Sequence, residues 1–476
     1  MDSYDKIITN KGYSIRKSIL KEKDIELIQK SCIVTPKIDE RYKTKDDLTF
    51  NIYKESPARY YLPREWAIQK FGETIDILSD GVDLSDECST FVGNPYDYQK
   101  DIINTYLQSK RNGLICVPCG KGKTFMALNI ASQIKKRFLI VVDKEFLMNQ
   151  WKNEMKVVLP NLHVGILQAE KRQVETDKYD VTICMIQTLC SQSFPDNFFN
   201  DYGFTIFDEC HHLGAQHFCK ALFKVQTKKL LGLSATPTRA DGLTKVFEMF
   251  LGKPLFWEKT REPDPGVIVK GVKINCQDPD YLKVPLNWKK EVIIARLITN
   301  ILDCKERNQE IVRYIENLAK DPNRKILVLS ARIAHLEMLD SMINVDITRS
   351  YYIGGMKEDV REFGAKESKV LLASYSMASE AMNIKSLNAV ILASPKTNVE
   401  QSTGRILRTR ISERIVQPLI VDILDPHDTT ISQYKKRKAY YLKCAYNIEE
   451  LNQGENEGKK IKEVVADENG CLFTDE

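Results

Sequence analysis

Long apolar runs are missing from this 476-residue chain, and no stretch approaches the roughly twenty consecutive apolar residues that a bilayer-spanning helix needs. The N-terminus, Met1-Asp2-Ser3-Tyr4-Asp5-Lys6, also lacks the charged-then-apolar build of a secretory signal. A soluble, intracellular protein is expected. Charge of one sign is missing too: 70 Lys and Arg stand against 65 Asp and Glu, a formal +5, which permits contact with nucleic acid without marking a histone-like binder. The 12 cysteines form no dense framework and lie scattered in apolar segments, as suits a reducing compartment. No repeat of solenoid period is visible.

Metal-binding spacings are equally sparse. Cys116-Val117-Pro118-Cys119 has redox or zinc spacing, but it lies on a strand and loop that read as a phosphate cradle, where a metal would obstruct. Cys210, His211, His212 and His217 are followed by no Cys pair at a zinc-finger distance. No structural metal is expected.

What is present is an alternation of short apolar strands with helical segments, twice over. The length suggests three or so units. Residues 1–91 read as a mixed accessory module, with charged helical stretches such as Lys17 to Lys30, an aromatic-basic cluster from Tyr60 through Trp66 to Lys70, and a linker near Ser79 to Ser89. Residues 92–265 alternate strands such as Phe138–Val142 and Val181–Met185 with helices, the mark of a parallel sheet. Pro263-Asp264-Pro265-Gly266 punctuates the chain, two amphipathic helices follow within Lys289 to Leu318, and residues 285–446 form a second alternating unit. Residues 447–476 read as a polar tail, a frayed helix and a disordered end. The expected fold is α/β, two tandem parallel-sheet domains behind a small N-terminal module.

Two patterns in the first α/β unit carry chemistry. After the strand Gly113-Leu114-Ile115-Cys116-Val117 comes Pro118-Cys119-Gly120-Lys121-Gly122-Lys123-Thr124. Glycines there let backbone N–H groups close around phosphate oxygens, Lys123 reaches the β- and γ-phosphates of ATP, and Thr124 offers its hydroxyl to Mg²⁺. The strict motif begins with glycine, and that position is Val117. Further along, Phe204-Thr205-Ile206-Phe207 is a strand that delivers Asp208 and Glu209 to the carboxyl edge of the sheet. Asp208 is expected to hold Mg²⁺ through water and Glu209 to polarise the attacking water. The second unit has no phosphate loop, but it carries Gln401-Ser402-Thr403-Gly404-Arg405-Ile406-Leu407-Arg408, with two arginines on one helical face. Such a pair suits stabilisation of the charge that develops as a γ-phosphate leaves.

In that order the patterns resemble the superfamily 2 helicases, the XPB/Rad25-like group and most closely its versions in large DNA viruses and phages; the match runs over about residues 60–440. The resemblance implies two RecA-like domains, ATP and Mg²⁺ as ligands, and DNA as the track, with RNA as the other candidate. Tyr98-Gln99 resembles the adenine-reading motif, with Gln99 on the base. Pro118 to Thr124 with Gly404, Glu380 and Asn383 are implied in nucleotide binding; Gln401, Arg405 and Arg408 join Lys123, Asp208 and Glu209 in catalysis. Ser234 and Thr236, in Ser234-Ala235-Thr236, with His211 are implied to couple nucleotide state to domain closure. Gln150, Thr188, Arg239 and Ser374 are implied nucleic-acid contacts.

Two departures stand out. Where many relatives have Glu-Gly-x-Asp, this chain has Glu380-Ala381-Met382-Asn383, and Arg239-Ala240-Asp241 lacks the middle acid of Arg-Glu-Asp. The reading is of an enzyme moving along or unwinding nucleic acid by its phosphates, without sequence readout, in transcription, replication or repair. The alternative, in a different class, is an ATP-gated nucleic-acid-binding transcription-factor subunit acting only within a larger complex. A restriction-type nuclease motor ranks last, because residues 1–91 show no Asp…Glu-x-Lys pattern. The chain is expected to act as a monomer off the membrane, in the host nucleus, a cytoplasmic viral factory or the virion if it is viral. A chain beginning near Val92 is expected to keep basal hydrolysis and lose nucleic-acid affinity.

Overall fold

Runs without polar alternation, such as Phe138–Val142, Val181–Met185 and Phe204–Phe207, are buried along their whole length, as a parallel sheet covered by helices on both faces requires. The computed structural model describes residues 4–37, 49–118, 120–211, 216–235, 238–239, 241–258, 263–380, 382, 384, 386–407, 409, 411–456 and 459–460, with backbone only at 216–218, 379–380, 405, 412 and 459–460. These form two compact units divided at Lys259/Thr260. No helix among the described residues is long and apolar enough to cross a membrane.

The main sheet of the first unit has the order Lys171–Arg172, Val164–Gln168, Val181–Met185, Phe138–Val142, Phe204–Phe207, Lys229–Ser234, Gly113–Cys116, Pro254–Trp257. Every neighbouring pair is parallel except the first, which is an antiparallel edge hairpin. Helices Lys123–Ile134 and Glu145–Val158 supply crossovers between parallel strands. Because the strands run the same way, their carboxyl ends share one edge, and the loops that carry chemistry gather there.

The N-terminal residues build a second, smaller sheet. Lys6–Thr9 and Gly12–Arg16 pair as a hairpin, Arg59–Leu62 lies antiparallel to Gly12–Arg16, and Ile75–Asp76 runs parallel to Lys6–Thr9. Tyr13, Leu62, Trp66 and Ala67 share one continuous core with Leu114, Phe207, Val246 and Phe250. Arg64, 2% exposed, donates through Nη1 to the Thr227 carbonyl at 2.8 Å. Glu65 accepts from Arg111 at 3.0 Å and Asn112 at 2.8 Å, while Asn112 accepts from the Leu230 amide at 2.7 Å. Tyr60 and Trp66 of the aromatic-basic cluster are therefore packed into this shared core. Its aromatic density is what a joint between two sheets demands.

The second unit repeats the doubly covered parallel sheet, in the order Arg349–Tyr352, Val370–Ser374, Ile326–Ser330, Ala389–Leu392, Leu419–Leu424, Ile268–Lys273, Asn447–Asn452, Lys459–Lys460. Only the last pair is antiparallel. The sheet starts before residue 285 and continues past 446. Ile268–Lys273 has a glycine at its centre, and Asn447–Asn452 places its two buried residues, Ile448 and Leu451, out of alternation. Neither segment reads as a strand by itself; each is fixed by six in-register backbone partners in the other. The expected helical start of the tail is this strand, and residues 461–476 lie outside the described residues. Two buried ion pairs anchor the carboxyl end of Leu419–Leu424. Arg437 holds Asp422 with two bonds of 2.8 Å, joined by the Tyr441 hydroxyl at 3.0 Å. Arg307 holds Asp425 at 2.6 and 3.2 Å, joined by Tyr281 at 2.9 Å.

Candidate nucleotide and nucleic-acid site

In the first unit, strand Gly113–Cys116 ends at the carboxyl edge, and the chain turns through Gly120, φ +90°, and Gly122, φ +81°, into helix Lys123–Ile134. Only glycine adopts such angles without strain. A Cβ on Gly122 would lie 2.6 Å from Gln99 Nε2, so a side chain there would have to displace the Gln99 amide. Gln99 is buried; its Nε2 donates to the Lys121 carbonyl at 3.1 Å and its Oε1 accepts from the Tyr96 amide at 3.0 Å. In this structure it braces the loop backbone. Tyr98 donates to the same Lys121 carbonyl at 3.2 Å, and Lys121 Nζ sits 5.1 Å from the Tyr98 ring centre and 3.3 Å from Glu258. Exposed Tyr96 and Tyr98 stack at 5.9 Å beside the loop, and neither they nor Glu258 stood out in the sequence as a set. Pro118 is buried and Thr124 half-buried at the start of the helix; Cys119 lies outside the described residues.

Strand Phe204–Phe207, two positions away, brings the carboxylates to that edge. Asp208 keeps its amide in the sheet, bonded to the Val141 carbonyl at 3.0 Å. Its Oδ2 accepts from the Trp151 indole at 2.8 Å and its Oδ1 from the Glu209 amide at 3.0 Å. Trp151, fully buried on helix Glu145–Val158, is a site side chain that sequence reasoning passed over, because its target is 57 residues away. Burial first and the neighbouring Glu209 second push the Asp208 carboxyl up to about 6, while the indole N–H and Lys123 pull the other way. Two adjacent carboxylates with so little compensation suit a divalent cation, whose charge would return Asp208 to its ionised form. Oxygen donors of this kind, with the Thr124 hydroxyl, suit Mg²⁺.

Glu209 occupies left-handed backbone, φ +41°. Its Oε1 is 3.8 Å from Lys123 Nζ and its Oε2 is 3.3 Å from His211 Nδ1, which in turn is 3.0 Å from Ser234 Oγ. Ser234 is buried at the end of Lys229–Ser234, and its carbonyl accepts from the Val117 amide at 3.2 Å. Lys123, Glu209, His211 and Ser234 thus form one connected chain of polar groups across three strand ends. Thr236 lies outside the described residues.

The residues expected to touch nucleic acid divide. Gln150 is half-buried on helix Glu145–Val158. Thr188 is 5% exposed, and its hydroxyl accepts from the Ala169 amide at 2.9 Å. Arg239 is likewise engaged: it binds the Asp241 carboxylate and donates to the His211 carbonyl. It ties the loop after Ser234 to the carboxylate loop.

In the second unit Ser374 ends strand Val370–Ser374, its Oγ 3.2 Å from Ser376 Oγ. Gln401 is half-buried in helix Glu400–Thr403, and buried Gly404 opens the next turn, Gly404–Leu407, whose backbone contains Arg405. Glu380 ends helix Tyr375–Glu380; its side chain, with that of Arg405, and all of Asn383 and Arg408, lie outside the described residues.

Residues 93–239 match the family described as type III restriction enzyme, res subunit, and residues 306–411 match the helicase conserved C-terminal domain. Over 97% of this chain and 91% of its own length, a protein of Acanthamoeba polyphaga mimivirus, provisionally named an ATP-dependent RNA helicase, is 33% identical. The chain belongs to the superfamily 2 helicases. A provisionally named ATP-dependent RNA helicase of African swine fever virus is 28% identical over 69% of this helicase and 68% of its own length. A provisionally named helicase of Invertebrate iridescent virus 6 is 25% identical, covering 70% and 77%. Among solved structures, T4 UvsW is 18% identical, covers 94% of this helicase and 100% of its own chain, and superposes with a TM-score of 0.36.

Proposed function

We propose that this helicase couples ATP hydrolysis to movement along nucleic acid, with DNA as the track. The observation that carries the reading is the connected chain from Lys123 through Glu209 and His211 to Ser234. It links a phosphate loop to a carboxylate pair and then to a strand end that a change of nucleotide can move. Lys123 takes the β- and γ-phosphates, and the glycine turn supplies backbone N–H donors. Thr124 and Asp208 hold Mg²⁺, which when bound neutralises charge on the phosphate oxygens. Glu209 orients and polarises the attacking water; His211 and Ser234 report its state to the rest of the unit. Tyr96 and Tyr98 form an aromatic face for the adenine, with Gln99 fixing the loop beneath it.

From the second unit, Arg405 and Arg408 stabilise transition-state charge and Gln401 supports them, while Gly404, Glu380 and Asn383 complete the nucleotide's surroundings. Gln150 and Ser374 remain the proposed phosphate contacts on the track; Thr188 and Arg239 act by positioning their loops. Grip on phosphates carries no base information. RNA is the second reading, because the mimivirus and African swine fever virus relatives are named for RNA. Strand separation measured on matched DNA and RNA duplexes with 3′ or 5′ tails tests the assignment: ATP-dependent unwinding of DNA supports it, and activity confined to RNA overturns the choice of track.

A further inference from the structure

Among the described residues two clusters combine cysteine with other metal-ligating side chains, and neither includes a residue of the nucleotide site: Cys88 with His163 and Asp180, and Cys276 with Cys304 and Glu306. The second has the tighter geometry. Cys276 follows strand Ile268–Lys273, Cys304 caps helix Lys305–Ala319, and Glu306 lies in that helix's first turn. The two sulfurs are 3.2 Å apart, and Glu306 Oε2 is 3.6 Å from Cys276 Sγ and 3.7 Å from Cys304 Sγ.

A triangle with these sides has its centre about 2.0 Å from each corner, so a cation about 1 Å above its plane lies about 2.3 Å from both sulfurs, the length of a zinc–thiolate bond. Each sulfur also accepts a backbone N–H, from Asp278 at 3.4 Å for Cys276 and from Arg307 for Cys304. The first turn of a 15-residue helix adds a favourable field for anionic donors. Both cysteines are buried while Glu306 is exposed, which leaves an entry path on the carboxylate side.

We propose that Cys276, Cys304 and Glu306 bind a thiophilic divalent cation of the Zn²⁺ type. Two sulfurs select such an ion over Mg²⁺ or Ca²⁺, so the site is chemically separate from the nucleotide's metal. Three protein donors leave one position for water. The ion fastens the segment leaving the sheet to the helix that carries Arg307, one half of the buried pair with Asp425. The cysteines are 28 residues apart in sequence, which is why no zinc spacing was visible.

The full-length chain, reduced and stripped with chelator, is titrated with Co²⁺ and then Zn²⁺. The expected result is one Co²⁺ per chain giving thiolate charge-transfer absorption and tetrahedral visible bands, bleached by one equivalent of Zn²⁺ and unaffected by Mg²⁺. Cys304→Ser loses the signature, Cys88→Ser retains it, and Glu306→Gln keeps sulfur absorption but binds roughly tenfold or more weakly. Should the cysteine variant fail to fold, exposed Glu306 and the Cys88 control still decide the matter. Absence of the signature in the parent chain, its loss in Cys88→Ser, or full-strength binding by Glu306→Gln overturns the proposal. So does thiol counting that finds Cys276 and Cys304 joined as a disulfide resistant to reductant.

Discussion

Glu209 sits at φ +41°, a backbone conformation that costs a non-glycine residue of order 1 kcal/mol or more, and the surrounding sheet edge holds it there. Glu209→Gln keeps the shape and removes the charge. Turnover of ATP is expected to fall about 10²–10⁴-fold while nucleotide binding, read by fluorescent-nucleotide titration, stays near the parent value. Lys123→Ala loses both binding and turnover, because it removes the cation that holds the phosphates. Trp151→Phe keeps the buried volume nearly constant but withdraws the indole N–H from Asp208. A hydrogen bond to a charged acceptor is worth about 1.5–3 kcal/mol, so the Mg²⁺ concentration needed for half-maximal hydrolysis should rise about tenfold or more, and an unchanged Mg²⁺ dependence would show the bond to be idle. The residue types at the loop and the carboxylates were legible because their spacing is local. Gln99, Thr188 and Arg239 were assigned by motif position, and the bonds they make here, to the Lys121 carbonyl, the Ala169 amide and the His211 carbonyl, were not legible because those partners come from elsewhere in the chain.

The elements tell a similar story. Phe138–Val142, Val181–Met185 and Phe204–Phe207 were readable to the residue, because a strand buried on both faces is a continuous apolar run. The N-terminal sheet, Ile268–Lys273 and Asn447–Asn452 were not, because their strand character comes from pairing. The N-terminal sheet also revises an expectation. Trp66, Leu62 and Tyr13 share a core with Phe207 and Val246, so a chain beginning near Val92 would expose that face and lose the Glu65 bonds to Arg111 and Asn112. It should aggregate on expression; a soluble truncated chain with parental basal ATP hydrolysis would contradict this. In the second unit, His335 is buried between Ser330 and Asn308, with both ring nitrogens 3.0 Å from their partners. Burial first and Arg307 second push it down to about 3. The unfolded chain therefore binds the extra proton below about 6.5, and stability is fully present above that pH and is lost as pH falls toward 3. Between pH 6.5 and 5 the loss is about 2 kcal/mol from this group. Denaturant melts of the parent chain and His335→Gln over that range should diverge in slope; parallel curves would mean the histidine is not the titrating group.

At the scale of the molecule, one unit carries the phosphate loop and carboxylates, and the sequence of the other supplies Arg405 and Arg408. Arg405→Ala and Arg408→Ala should each lower the rate of hydrolysis by about 10³–10⁵ if they serve as arginine fingers, with modest change in ATP affinity; parental rates would remove the second unit from the chemistry. With a formal charge of only +5, attraction to nucleic acid must come from local phosphate contacts, so polynucleotide stimulation should fall steadily with added salt and vary little with base sequence. The most direct test of the central claim is the rate of ATP hydrolysis with and without DNA, measured side by side for the parent chain and Glu209→Gln. The account predicts hydrolysis by the parent chain that rises with DNA and is lost in the variant. Hydrolysis at the parent rate by a folded Glu209→Gln protein, or a parent rate indifferent to nucleic acid, would contradict it.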